Sequence, residues 1–205
     1  MSERSRTIRK MTLPLGTLAK IHTAVVFRDQ APSESPAGNV RALAIRDLVA
    51  GKPLRWDELP KLQVPERLLS HCLQPGDVVI PSRGDYYKAW LFEGAEDLVF
   101  PVGQLSVIRP DPRLDARYLV WHLNEASTQK RISSMLTGTT IKALTKATLL
   151  SLEVEVPPLS KQLEIAALDQ TSKEIVSIRH RLNEIDRAEI AYMTRFSLRG
   201  GASHA

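Results

Sequence analysis

Residues 152–166 read Leu152-Glu153-Val154-Glu155-Val156-Pro157-Pro158-Leu159-Ser160-Lys161-Gln162-Leu163-Glu164-Ile165-Ala166, and the periodicity on the two sides of the double proline decides the architecture. Before it, Leu152, Val154 and Val156 alternate, placing apolar side chains on one face of a strand. Pro157 and Pro158 lock φ and remove two amide donors, which forces an extended link. After it, Leu168, Thr171, Ile175, Ile178, Leu182, Ile185, Glu189, Tyr192 and Phe196 recur at alternating intervals of three and four, a heptad seam. The pattern predicts a helix from about Ser160 to Phe196, roughly 55 Å long. A domain of about 150 residues cannot cover that length, so the helix is expected to pair with another. A helix folded back on its own domain is the plainer alternative, opposed by the double proline and the length.

Toward the N-terminus, Asp111-Pro112-Arg113-Leu114-Asp115 offers helix-start residues, predicting one helix over 116–136 with Tyr118, Leu119, Leu123 and Ile132 on or beside its apolar face. Gly138 ends it, Thr139-Thr140-Ile141-Lys142 follows as an exposed loop, and a short helix spans about 142–150. Earlier still, alternation and Gly/Pro punctuation predict strands over 40–45, 78–81, 89–92 and 99–108, with turns at 48–53 and 73–77. The fold class is α+β: an irregular, mostly-β domain with packed helices, followed by a long C-terminal coiled-coil helix.

Composition sets the outer bounds. With 205 residues, 43% hydrophobic and 25% charged, the chain holds one domain and one added element. It has no apolar run of membrane-spanning length, and no signal-peptide core follows the basic start. Cys72, the single cysteine, fits a reducing cytoplasm. The net charge of +5 is concentrated at the start, where Arg4, Arg6, Arg9 and Lys10 outnumber Glu3, and the rest is nearly balanced. Such a charge permits nucleic-acid binding without demanding it.

The sequence lacks the common catalytic patterns. The chain has no Gly-rich phosphate loop ending in Gly-Lys-Ser/Thr, no dinucleotide fingerprint and no Gly-x-Ser-x-Gly elbow. No acidic residue stands two positions before a lysine, as many metal-dependent nucleases require, and the one Pro-Pro follows Val156 rather than the Asn or Asp used by amino-methyltransferases. His22, His71, His122, His180, His204 and Cys72 lack metal-ligand spacing. These absences point to a non-catalytic chain.

Several landmarks, in order, resemble the specificity subunit of type I restriction-modification systems. They are Leu15-Gly16-Thr17-Leu18-Ala19-Lys20-Ile21, Val40 through Leu48, Leu73-Gln74-Pro75-Gly76-Asp77-Val78-Val79-Ile80 with Ser82-Arg83-Gly84, Tyr118-Leu119 with Leu123-Asn124 and Gln129, Gly138 through Leu144, and the Val154-to-Ala166 join. Family members usually carry two target-recognition domains and two long helices, whereas this chain shows one of each, so it resembles a half-size form. A second departure is Ala24 to Pro36, where the family's glycine-rich turn is replaced.

The resemblance implies four segments: a disordered basic N-terminus (1–12), a DNA-binding target-recognition domain (13–158), a dimerisation and spacer helix (159–198) and a flexible tail (199–205). It implies a cytoplasmic, non-catalytic homodimer that reads a bipartite palindromic site on double-stranded DNA. An antiparallel coiled coil would join the copies through Leu168, Ile175, Ile178, Leu182, Ile185 and Tyr192. Methyltransferase subunits would dock on it, with a motor or restriction subunit as a further partner. No cofactor is expected in this chain; S-adenosylmethionine, ATP and Mg would belong to partner subunits. Lys20, Arg28, Arg83, Tyr86, Tyr87, Lys88, Thr139, Thr140 and Lys142 are the candidate DNA contacts, because Arg forks onto guanine or phosphate, Tyr stacks, and Lys, hydroxyls and amides bind phosphate. Ordinary hairpin and capping roles are the competing readings for the last two segments. Trp56, Trp90 and Trp121 are expected to pack rather than to stack bases. The alternative function is a stand-alone dimeric adaptor or DNA-binding regulator without a methyltransferase, separable by copurification of such a subunit. A small enzyme with an unfamiliar site is a third, remote reading.

Overall fold

A computed structural model describes residues 11–27, 35–49, 54–138 and 142–200, with side chains through 197. In chain order the elements are β1 (Thr12–Pro14), β2 (Ala19–Thr23), β3 (Val40–Leu43), α1 (Ile45–Val49), β4 (Lys61–Leu62), β5 (Val78–Pro81), β6 (Trp90–Leu91), β7 (Val99–Pro101), β8 (Leu105–Pro110), α2 (Ala116–Asn124), α3 (Ala126–Met135), α4 (Lys146–Ser151), β9 (Glu153–Glu155) and α5 (Leu159–Gly200). The chain is α+β, as its sequence predicts, and divides into two compact units at Leu163 and Glu164.

In the first unit, a four-stranded sheet runs in the order β2-β8-β5-β6 and a three-stranded sheet in the order β4-β3-β7. The strands read as alternating or fully apolar because their faces are covered: Val78, Val79, Ile80, Val107 and Ile108 are all buried. One core cluster gathers Leu43, Leu73, Val79, Phe92 and Leu105, with Trp56 and Trp90 packed against it. A second gathers Val40, Leu62, Cys72 and Phe100. A third sheet, β1 paired antiparallel with β9, brings Leu13 opposite Val154. The strand before the double proline therefore closes the unit against its own beginning.

Several predicted elements are divided or shortened. The strand predicted over 40–45 stops at Leu43 because the Asp47 carboxylate accepts the Ala44 amide at 2.8 Å and starts α1 instead. The strand predicted over 99–108 breaks at Gly103, whose φ of 73° favours glycine. As a result β7 runs parallel to β3 while β8 pairs with β2 and β5. The single helix predicted over 116–136 is two, separated at Glu125, whose ψ is 141°. There the Asn124 side chain is drawn to Ala89, accepting its amide at 2.8 Å and donating to its carbonyl at 2.9 Å. The helix predicted over 142–150 begins later, because Thr145 caps it by accepting the Thr148 amide while 142–144 stay extended. Of the N-terminus expected to be disordered over 1–12, residues 1–10 lie outside the described residues, as do positions 50–53 of the first predicted turn, Thr139 to Ile141 and residues 201–205 of the expected tail. Thr12, by contrast, opens β1 opposite Glu155, and Arg199 and Gly200 belong to α5 rather than to a tail.

α5 is one continuous helix from Leu159 to Gly200. From Thr171 to Ser197 every residue is exposed, including Ile175, Ile178, Leu182, Ile185, Tyr192 and Phe196. Among the described residues no helix is long and apolar enough to cross a membrane, and no three His, Cys, Asp or Glu side chains are grouped as a metal site.

Candidate nucleic-acid interface

Two segments that sequence reasoning singled out separately, 82–88 and 137–144, are joined in space. Arg83 and Ala143 form an antiparallel bridge, and Thr137 pairs with Ala143 on its other side. The Leu144 amide donates to the Ser82 carbonyl at 3.0 Å. Gly84 turns the chain with a φ of 98° that side chains rarely adopt, and its amide donates to the Lys142 carbonyl at 3.3 Å. The hydroxyl of Tyr87 donates to that same carbonyl at 3.0 Å.

This arrangement separates exposed groups from supporting ones. Arg83, Tyr86 and Lys142 are exposed, and neither Arg83 nor Lys142 has a carboxylate partner among the described residues. A guanidinium, a phenol and an ammonium thus stand on one joined surface, with Asp85 exposed between the first two in sequence. Tyr87, by contrast, is only 5% exposed. Burial, and secondarily Asp85, pushes its phenol above the usual range, so it stays neutral and serves as the strut under Lys142. Its proposed DNA contact is not available to a buried ring. Lys88 is half-buried and donates to the Asn124 carbonyl at 3.0 Å, and Lys20 stands exposed on β2 opposite Arg109. Arg28, Thr139 and Thr140 lie outside the described residues.

Four polar residues that hold the unit together, two of them beside this surface, had no assigned role in the sequence reading. Gln129 donates to the carbonyls of Tyr87 and Leu123 at 3.0 and 2.6 Å, so with Asn124 it clamps the strand that follows the hairpin. Asp77, 1% exposed, accepts both Nε and Nη2 of Arg109 at 2.7 Å and the Gln74 amide at 2.8 Å. Gln162, also 1% exposed, accepts the Asp115 amide at 2.8 Å and donates to the carbonyls of Arg113 and Pro157 at 3.0 and 2.9 Å. It ties the first turn of α5 to the turn before α2, where Asp115 caps by accepting the Tyr118 amide. Their signal in the sequence was that Asp77, Asn124, Gln129 and Gln162 all belong to the landmarks quoted above. The tryptophans pack: Trp56 meets Phe92 edge-on at 4.9 Å, and Trp121 lies 5.4 Å from Tyr118.

The family described as the type I restriction modification DNA specificity domain matches residues 77–187, more than half of the chain. The chain belongs to that family. The matched part of this specificity domain begins at the buried Asp77, takes in the hairpin and its clamp, and extends well along α5. Three solved structures share its fold. The type I restriction-modification S subunit of M. genitalium is 17% identical, with a TM-score of 0.58, and the match covers 91% of this chain and 45% of that one. The HsdS subunit of Thermoanaerobacter tengcongensis is 19% identical, with a TM-score of 0.62, covering 83% and 39%. A chain from a study of complex assembly and conformational transition in the type I R-M system is 20% identical, with a TM-score of 0.62, covering 89% and 43%. The chain thus spans less than half the length of each. No curated protein matches it.

Proposed function

We propose that this chain is a non-catalytic, sequence-specific DNA-recognition subunit of a type I methyltransferase complex, and that two copies joined by α5 read a bipartite palindromic site and dock methyltransferase subunits. The observation that carries the DNA reading is the joined surface of Arg83, Tyr86 and Lys142, a phenol and two cations without carboxylate partners among the described residues. Its support is the family and the charge chemistry: arginine forks onto a guanine edge, lysine neutralises phosphate, and the phenol adds a flat face. Self-pairing is supported by the apolar seam of α5, exposed from Leu168 to Phe196. The chain would supply address and geometry, with S-adenosylmethionine, ATP and Mg chemistry left to its partners.

Binding of the purified chain to its methylated motif across a salt series tests the reading. Arg83→Ala should weaken specific binding by ~1–3 kcal/mol and relax one target position. Lys142→Ala should weaken all sequences alike and lower the salt slope by about one unit. Equal binding by the wild type and both variants removes the surface from the mechanism. A dimer that binds DNA but never copurifies with a methyltransferase subunit indicates a stand-alone regulator.

A further inference from the structure

The ladder between β5 and β6 is short: it pairs Val78 with Leu91 and Val79 with Trp90. Residues 82–89, which connect the two strands, take their hydrogen bonds from other elements. At one end Ser82 and Arg83 meet 143–144. At the other end, beside 87–89, stands the corner where α2 passes into α3. There the Asn124 carboxamide accepts the Ala89 amide at 2.8 Å and donates to the Ala89 carbonyl at 2.9 Å. An opposite residue in an antiparallel strand makes the same two-bond exchange. Two positions earlier, the Tyr87 carbonyl accepts from Gln129 at 3.0 Å. Two side-chain amides thus take the place of a neighbouring strand.

The corner is anchored in the core on both sides. Leu119 and Leu123 of α2 and Ile132 of α3 are buried, and so is the Thr128 side chain next to Gln129. Gln129 also donates to the Leu123 carbonyl at 2.6 Å, which closes the corner on itself. Lys88 fastens the same place from the other strand end. Its ammonium donates at 3.0 Å to the carbonyl of Asn124, the last residue of α2. Helix-end carbonyls lack partners within the helix and carry the negative end of its dipole, so a cation there is favourable. Between the two anchored ends stand Arg83 and Tyr86, both exposed.

Resting on the DNA reading proposed above, we infer that the corner between α2 and α3 is its positioning element: Asn124 and Gln129 fix where Arg83 and Tyr86 stand, and Lys88 fastens the corner instead of contacting phosphate. A long side chain on a loose segment reaches a base only after both are ordered, and that ordering subtracts from affinity. A segment held at both ends has lost the freedom beforehand. Two-pronged contact with a base edge also demands defined geometry, whereas a point charge near a phosphate tolerates displacement. Loosening 87–89 therefore costs specific binding and spares non-specific binding.

Titration of the full-length chain, with any subunits that copurify, against a duplex carrying its methylome-mapped motif and a scrambled duplex tests this. Asn124→Ala and Gln129→Met should each lower the ratio of motif to scrambled affinity about tenfold and leave the scrambled duplex bound as before. Gln129→Met keeps the side-chain length without the donors, and it decides the matter where Asn124→Ala does not fold. In an Arg83→Ala/Tyr86→Ala background the same substitutions should change the ratio less than about twofold, because the corner acts through those two residues. Equal losses in both backgrounds overturn the inference. Lys88→Met should lower the ratio and leave the salt slope of scrambled binding unchanged; a slope reduced by about one unit makes Lys88 a phosphate contact and overturns its place in the corner. Arg83→Ala without effect on the ratio removes the DNA reading and the inference with it. Arg83→Ala with an effect, beside neutral corner variants, overturns the inference alone.

Discussion

Asp77 shows how a motif residue works through the fold. Its carboxylate is buried and takes a two-pronged hydrogen bond from Arg109, a side chain 33% exposed, together with the Gln74 amide. The pairing raises the guanidinium further above its ordinary range. Asp77→Ala leaves the Arg109 cation without its partner and the turn at Gln74 without its acceptor, and is expected to lower unfolding free energy by about 3 kcal/mol in urea titrations. A loss within the scatter of surface substitutions would mean that the pair is dispensable. Histidines set the pH response. Burial lowers the pKa of both His22 and His122. The folded protein resists a proton that the unfolded chain accepts near pH 6.5, so their contribution is complete above about pH 6.5 and is lost as pH falls through the lower folded values. Thermal midpoints should therefore fall between about pH 7.5 and 5.5, and His122→Gln should flatten that slope. A midpoint that climbs on acidification contradicts the sign.

Elements are held by side chains that borrow backbone groups from elsewhere. Gln162 satisfies one amide and two carbonyls at the start of α5, and Gln162→Ala leaves all three to find other partners. A loss of roughly 2–3 kcal/mol is expected, with faster amide exchange at Asp115. Unchanged exchange there would show that water replaces the amide at no cost. Tyr87→Phe removes one hydrogen bond to the Lys142 carbonyl and should lower stability by ~1 kcal/mol. The same variant should weaken DNA binding, because the strut rather than the ring positions Lys142. Affinity preserved alongside lost stability would separate the strut from recognition.

At the scale of the whole molecule, the exposed seam is the feature with consequences. Burying Ile175, Ile178, Leu182 and Ile185 of both copies at ~1.5–3 kcal/mol per fully buried large side chain exceeds the cost of association. Ile178→Asp with Leu182→Asp should therefore yield monomers that keep the first unit's near-ultraviolet circular dichroism and lose specific DNA binding. A two-fold protein reads a split palindrome, with half-site centres about one helical turn apart. Methylome mapping with and without the gene checks this: a continuous, asymmetric motif excludes the two-copy reading.

The sequence alone determined what depends on local periodicity and backbone chemistry. Alternation before Pro157 and heptads after Pro158 specify a strand, a break and a long helix whatever surrounds them, and β9 and α5 lie there. Residue chemistry alone likewise marked the Arg83 hairpin and the Lys142 loop as separate candidates. Only the tertiary structure decided what depends on distant partners. The helix expected over 116–136 divides because Asn124 bonds to Ala89, a residue far away in the chain, and no periodicity within the helix carries that information. The same holds for Tyr86 and Tyr87: adjacent and identical in type, one is exposed and the other buried, because alternate side chains of an extended segment face opposite sides and only the packed fold determines which side is filled.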